Sequence, residues 1–158
     1  MQSRRMLPWP SLCVNKQRVP SPNGSAMRKC VFCMMPQGEV SRMIYADRVC
    51  SVLINKLPVE RGHLLVVSKR HYKDMLSAPD ATISHMFRVA RKFGRLEMRK
   101  LKCFGMDIGV NIGGVSSVHH FHIHVLPRYS SRLLHFAYPG RNEIRKKEIK
   151  ELRQLLSI

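Results

Sequence analysis

The chain has 158 residues, 44% of them hydrophobic, with 28 lysines and arginines against 10 acids and a formal charge of +18. That length accommodates one domain with a buried core rather than two, and no apolar run approaches the ~18–20 residues of a membrane-spanning helix. Five cysteines, an odd number with no secretory leader in view, argue against a disulfide framework. The charge suits anionic partners, namely nucleotides, nucleic acid or an anionic membrane surface; a generally basic proteome or an organellar address would account for it equally.

Residues 1–26 carry Arg4, Arg5, Lys16 and Arg18, several serines, four prolines and no acid. Lacking hydrophobic periodicity, they read as a disordered basic leader or tail. Arginine and serine without acids suit a mitochondrial transit peptide, although the prolines interrupt any long amphipathic helix. The folded domain is expected over 27–158, cytoplasmic, or mitochondrial if the leader is a targeting signal. It opens at Cys30-Val31-Phe32-Cys33. A redox role would require a following helix, whereas Met34 to Gly38 reads as a turn, so metal is the better reading of this CxxC provided that two more ligands come from downstream. The histidines on offer are His63, His71, His85, His119, His120 and His135.

Arg42–Tyr45 and Val49–Ile54 are short β-rich runs around an Ala46-Asp47-Arg48 turn, a hairpin pattern. A loop punctuated by Pro58 and Gly62 leads to a strand over His63–Val67, wholly apolar from Leu64 and therefore expected at the sheet centre. Asp80 or Ser77 can cap an amphipathic helix over about 81–102, with Ile83, Met86, Phe87, Ala90, Phe93 and Leu101 inward and Gly94 on the same face. Its other face carries Arg88, Arg91, Lys92, Arg95, Arg99 and Lys100, either a solvated stripe or a surface for nucleic acid. Gly105 is expected to end the helix, Met106–Ile112 to form a fourth strand, and Gly113-Gly114 to turn the chain. After a polar link over 129–141, a helix over about 143–156 would bury Ile149, Leu152, Leu155 and Leu156.

The run Val118-His119-His120-Phe121-His122-Ile123-His124-Val125-Leu126-Pro127-Arg128 is the most informative stretch. Its β-branched and aromatic content predicts a strand ending at Pro127. Side chains alternate across a strand, so His120, His122 and His124 share one face while His119, Phe121, Ile123 and Val125 share the other. Three imidazoles in a row pack poorly and offer nucleophiles, bases and metal ligands at neutral pH.

At these residues the chain resembles the histidine-triad family of nucleotide hydrolases and transferases, over roughly 30–156. Cys30-Val31-Phe32-Cys33 with Gly38-Glu39 is similar to the family's zinc-bearing branch. Asn55, Pro58 and Gly62-His63-Leu64-Leu65-Val66-Val67 followed by Lys69-Arg70-His71 match its nucleoside-side loop and strand. Val110-Asn111-Ile112-Gly113 and Leu126-Pro127-Arg128-Tyr129 resemble the branch that cleaves diadenosine polyphosphates and adenylylsulfate. The turn before the triad is shorter than usual, with Ser116 where the family has a glutamine that contacts phosphate. Ser68 stands where proline is more common, and His124 where transferase relatives often have glutamine, which leans toward hydrolysis.

The resemblance implies an α+β fold, a five-stranded antiparallel sheet packed against one long helix and a C-terminal helix, and a homodimer. It implies His122 as nucleophile through a nucleotidyl-histidine intermediate, His124 as its orienting and charge-stabilising neighbour, and release of a nucleoside monophosphate. Asn55 would contact ribose; Asn111, Ser116 and Ser117 would complete the nucleotide site. A structural zinc would sit on Cys30, Cys33, His71 and His120. Two other readings stay open: an aprataxin-like nucleic-acid de-adenylylase, suggested by the charge, and a weakly active nucleotide-binding scaffold, suggested by the altered turn. Phosphorylase or transferase chemistry is also open.

Overall fold

The computed structural model describes residues 30–34, 41–130 and 143–157. The expected leader at 1–26, the residues Gly38-Glu39, the link from 131 to 141 and His135 lie outside them. Five strands are described: β1 (Met43–Ala46), β2 (Cys50–Ile54), β3 (Leu64–Ser68), β4 (Gly105–Gly109) and β5 (His122–Arg128). They form one antiparallel sheet in the order β1-β2-β3-β5-β4. Among the described residues two α-helices accompany it, α1 (Asp80–Leu101) and α2 (Lys146–Leu156). The α+β architecture expected from the sequence is the one observed. No helix among the described residues is long and apolar enough to cross a membrane.

Strand β3 is buried at every position and lies at the sheet centre, as a continuous apolar run requires. The sheet has two unequal faces. Val52, Ile54, Leu64, Val66, Phe121, Ile123 and Val125 pack against Met86, Val89, Ala90 and Phe93 of α1, with Leu152 and Leu156 of α2 in the same core. The opposite face holds a small cluster of Leu53, Leu65 and Val67 with Phe32 and Met43, and this is the face that carries the histidines. In the β1–β2 hairpin Asp47 Oδ1 accepts from the amides of Val49 and Cys50, while Oδ2 accepts from the Tyr45 hydroxyl and from His85 Nε2 at 2.7 Å. Burial alone would raise the Asp47 carboxyl, but these four donors hold it well below the ordinary carboxylate range.

Several boundaries differ from expectation for identifiable reasons. Neither Ser77 nor Asp80 caps α1. Ser77 belongs to a 3-10 turn, Met75–Ser77, capped reciprocally by Asp74, and Asp80 is the first residue of α1, where an acid favours the helix dipole. Helix α1 ends at Leu101 because Lys102, not Gly105, adopts the left-handed conformation (φ 51°); Gly105 opens β4 instead. Strand β4 stops at Gly109, leaving Val110–Ile112 outside it. Leu155 is 37% exposed, so α2 buries only Leu152 and Leu156 fully.

Pro127 does not end β5. Phe104 donates to the Arg128 carbonyl and Ser68 donates to the Phe121 carbonyl. Even-numbered backbone groups of β5 therefore face β4 and odd-numbered ones face β3. Strand β3 begins at Leu64, opposite Val125, so no β3 residue requires a donor at position 127 and an imide there is tolerated.

Gly62 precedes β3 with φ +91°, and a Cβ there would stand 2.5 Å from Leu101 Cδ1 and 3.1 Å from Glu97 Oε1. Glu97 itself is fully buried on the inner side of α1, and neither carboxyl oxygen has a hydrogen-bond partner. Burial pushes its carboxyl up to about 9, so it folds as the neutral acid near pH 7.

Candidate functional site

Strand β5 and the residues before it present three histidines on the sheet face away from α1, but not from one uninterrupted strand. Strand pairing begins at His122; His120 lies in the bend that feeds it, and His119 is exposed rather than packed with Phe121 and Ile123. His120, His122 and His124 are nonetheless all buried, with the ring centroids of the last two 4.9 Å apart.

Each ring is held by a different partner. His122 Nδ1 lies 2.6 Å from the His120 carbonyl. A carbonyl only accepts, so Nδ1 carries the proton and the Nε2 lone pair is left for chemistry. His120 Nε2 donates to the Ser68 carbonyl at 2.7 Å, which leaves its Nδ1 lone pair toward Cys30 Sγ at 3.2 Å and Cys33 Sγ at 3.4 Å. His124 Nδ1 meets His63 Nε2 at 2.9 Å. Val59 N–H, which can only donate, lies 3.2 Å from His63 Nδ1, as does Asn55 Nδ2. His63 therefore carries its proton on Nε2 and donates it to His124 Nδ1, and neutral His124 keeps its own proton on Nε2. Asn111 Nδ2 lies 3.4 Å from that nitrogen, a donor facing a donor, so the Nε2 proton is left for another acceptor.

Burial keeps these rings neutral. It lowers His63 to about 4, with His122 adding to the effect, and His124 to about 3, with His122 and His63 adding. His122 is also lowered by burial, opposed by its bond to the His120 carbonyl. Together with Glu97 these groups set the pH dependence of stability. Histidines lowered from 6.5 make folding release protons, so stability rises with pH up to about 6.5. Glu97, raised from 4.5 to about 9, makes folding take up a proton, so its contribution falls across that interval. In the metal-free protein the lowered histidines outweigh one raised acid below pH 6.5, and from there to about pH 8.5 the acid dominates. Without metal, stability is expected to peak near pH 6.5 and to fall above it by about 1.4 kcal/mol per unit. Glu97→Gln should flatten that alkaline limb, as denaturant melts at pH 6.5, 7.5 and 8.5 would register; an unchanged slope would contradict a buried neutral acid.

The four sulfur and nitrogen atoms of Cys30, Cys33, His71 and His120 all lie within 4.8 Å of one another. His71, just beyond β3, places Nδ1 3.2 Å from Cys33 Sγ. Tetrahedral zinc with bonds of about 2.3 Å to sulfur and 2.0–2.1 Å to nitrogen requires sulfur–nitrogen separations of about 3.6 Å. The set therefore fits zinc with only small adjustment, and the His120–Ser68 bond is the outer contact that orients a ligating imidazole. Without a cation, burial and the neighbouring Cys30 push the Cys33 thiol up to about 11. Of the other candidate ligands, His63 is tied to His124, His85 to Asp47, and His119 faces solvent.

The remaining expected nucleotide-site residues are spread around the triad. Asn55 uses both ends of its amide internally, Oδ1 accepting from Leu57 N at 3.1 Å and Nδ2 reaching His63; here it braces His63. Ser116 Oγ donates to the Val118 carbonyl at 2.9 Å, while Ser117 is exposed after the short turn Gly113–Val115. Two residues escaped the sequence reading of the site. His63 figured there among the candidate metal ligands and in the nucleoside-side strand but not as a partner of His124, and Phe32, between the two cysteines, sets its ring 5.6 Å from that of His120 and 5.3 Å from that of His122. The alternation of Gly62-His63 with an apolar strand was the available signal for the first; nothing marked the second.

A five-stranded antiparallel sheet bearing three buried imidazoles on the face opposite its helix defines the class of histidine-triad domains. The model of the HIT domain matches residues 37–131, and the chain belongs to that family. An uncharacterized HIT-like protein of Methanocaldococcus jannaschii is 32% identical over 103 residues, 63% of this chain and 79% of that protein. A zinc-bound histidine triad family protein of Mycobacterium smegmatis superposes with a TM-score of 0.69 at 30% identity, covering 82% of this chain and 94% of that one. A hypothetical histidine triad nucleotide-binding protein of Sulfolobus tokodaii does so with a TM-score of 0.69 at 26% identity, covering 80% and 89%.

Proposed function

We propose that the protein is a nucleotide hydrolase that cleaves at the α-phosphate of a nucleotide conjugate or dinucleoside polyphosphate through a nucleotidyl-histidine intermediate. The observation that carries this is the pinned His122 ring, with Nδ1–H on the His120 carbonyl and the Nε2 lone pair unspent. Neutral imidazole attacks phosphorus without prior deprotonation. The Nε2–P bond forms as the bond to the leaving group breaks, the leaving group departing with the electron pair. Positive charge developing on the ring is spread toward the His120 carbonyl. His124 Nε2–H is placed to donate to a phosphoryl oxygen, the kind of positioning that dominates phosphoryl transfer. Ser117 and the amides of the Gly113-Gly114 turn supply further donors, and Ser116 holds that turn. Water then attacks phosphorus, the N–P bond breaks, and a nucleoside monophosphate leaves with His122 neutral again. The nucleotide named for the Sulfolobus relative suits this ligand class.

Cys30, Cys33, His71 and His120 would hold a structural zinc. Four protein ligands leave it no open position, so it would tie the N-terminal loop to the entry of β5 and take no part in the reaction. A homodimer across the free edge of β4 is part of the proposal, since Phe104 (73% exposed), Ile108 (38%) and Met98 (40%) form an apolar margin there.

The direct test incubates purified protein with a panel of α-labelled dinucleoside polyphosphates, adenylylsulfate, nucleoside phosphoramidates and sugar nucleotides, with and without phosphate, and reads products by mass. A monophosphate product and acid-quenched label on His122 support the reading. Binding without turnover of any compound would leave the scaffold alternative standing. Because His63 fixes the tautomer of His124, His63→Ala is expected to lower kcat about 10–100-fold, some 1.4–2.7 kcal/mol, with little change in KM. Unchanged kcat, or no change in the His124 ring-nitrogen NMR shifts, would remove His63 from the machinery.

A further inference from the structure

We infer that the outward face of α1 is a sequence-independent docking surface for the phosphate backbone of duplex nucleic acid, separate from the histidine site. Arg88, Arg91, Lys92, Arg95 and Arg99 are all exposed. At 3.6 residues per turn they fall within an arc of about 100°, opposite Met86, Val89, Ala90, Phe93 and Glu97, which face the core. The acid nearest them in the chain, Glu97, is on that buried side and uncharged near neutral pH. None of the five belongs to an ion pair among the described residues.

The spacing and the surroundings both favour this partner. Arg88 to Arg99 spans eleven residues at ~1.5 Å each, about 17 Å, so the five positive charges follow one another roughly every 4 Å along the axis. One strand of duplex DNA carries a phosphate per ~3.4 Å of axis. Neighbours at three and four positions, such as Arg88 with Lys92 and Arg91 with Arg95, repel one another and oppose helix formation, and a polyanion relieves that repulsion. Among the described residues the face offers no exposed aromatic on which single-stranded bases would stack: Tyr45, under the Lys92 ammonium at 5.5 Å, is part-buried. It also lacks the apolar row by which an amphipathic helix enters a membrane. Because the sheet separates α1 from the triad, a small nucleotide at the histidines would not compete for it.

The test measures binding of the full-length protein to a labelled 20-base-pair DNA duplex of arbitrary sequence by anisotropy at 50, 100 and 200 mM NaCl. A face contacting about four phosphates gives a slope of log K against log salt of roughly −3.6. Neutralising four residues (Arg88→Gln, Arg91→Gln, Lys92→Gln, Arg95→Gln) should weaken binding at least tenfold at 100 mM salt, flatten that slope and leave turnover of a small nucleotide substrate unchanged. A second set, Arg88→Ala with Arg95→Ala, gives an intermediate loss and serves if the fourfold variant misfolds. Three results would overturn the inference: variant affinity within threefold of the parent, which assigns binding to other cations; a salt-independent affinity; or binding to phosphatidylserine-containing vesicles with the duplex ignored.

Discussion

Replacing His122 by asparagine or alanine is expected to abolish turnover while leaving the protein folded. In the proposed mechanism the Nε2 lone pair of His122 forms the bond to phosphorus, and no neighbour can substitute. His120 Nδ1 faces the cysteines, and His124 Nδ1 is occupied by His63. Loss of a covalent nucleophile removes an interaction made only on the way to the transition state, so kcat and kcat/KM should fall together, by a thousandfold or more, about 4 kcal/mol. The fold should survive, because the ring contributes one hydrogen bond to a backbone carbonyl, worth about 1 kcal/mol. Asparagine fills more of the vacated space and is the better control. Activity within tenfold of the parent would defeat the assignment, and melting curves separate loss of chemistry from loss of fold.

Removing the proposed zinc is expected to have the largest effect on stability. The loop bearing Cys30 and Cys33 is joined to the sheet by contacts to His71 and His120 and by Phe32, few of which would persist between protonated thiols and neutral imidazoles. Free energy of binding a metal that the unfolded chain cannot hold adds to folding free energy, and structural zinc reaches the order of 10 kcal/mol in small domains. Cys33→Ser or a strong chelator should therefore lower the melting temperature by ten degrees or more, with the loss of about one zinc per chain. Less than about 0.3 zinc per chain from zinc-replete medium, or melting indifferent to chelator, would remove zinc from the account. Zinc loss without loss of fold would show the cluster binding metal but not depending on it.

What the sequence disclosed followed from local pattern. The wholly apolar run Leu64–Val67 identified the central strand, and the 3.6-residue spacing of Met86, Ala90 and Phe93 identified the buried face of α1. The period-two reading of the triad located β5 but began it too early, because the chain bends through His120 and the strand register with β3 starts at His122 opposite Val67. What remained hidden depended on distance along the chain or on a few degrees of rotation. His63 and His124 are 61 residues apart, and their bond exists only because β3 and β5 are neighbours. Glu97 sits among basic residues like any surface acid, and only the angular position it takes on α1 shows that it is buried. Lys102 took the left-handed turn that glycine would favour, two residues before Phe104 joins β5.

Pro127 sets the zero of a molecular ruler. If β3 slid two residues along β5 so that Leu64 faced Pro127, the Leu64 carbonyl would look for a donor that an imide does not have, and a buried acceptor left alone costs about 1–3 kcal/mol. In that shifted pairing His63 would sit opposite Arg128 instead of Leu126, two residues, or about 7 Å, farther from His124. The same proline therefore penalises, during folding, one of the misalignments that would preserve the apolar faces yet separate the two imidazoles. Hydrophobic alternation alone cannot detect that error, because a slip of two residues returns every side chain to its own side of the sheet.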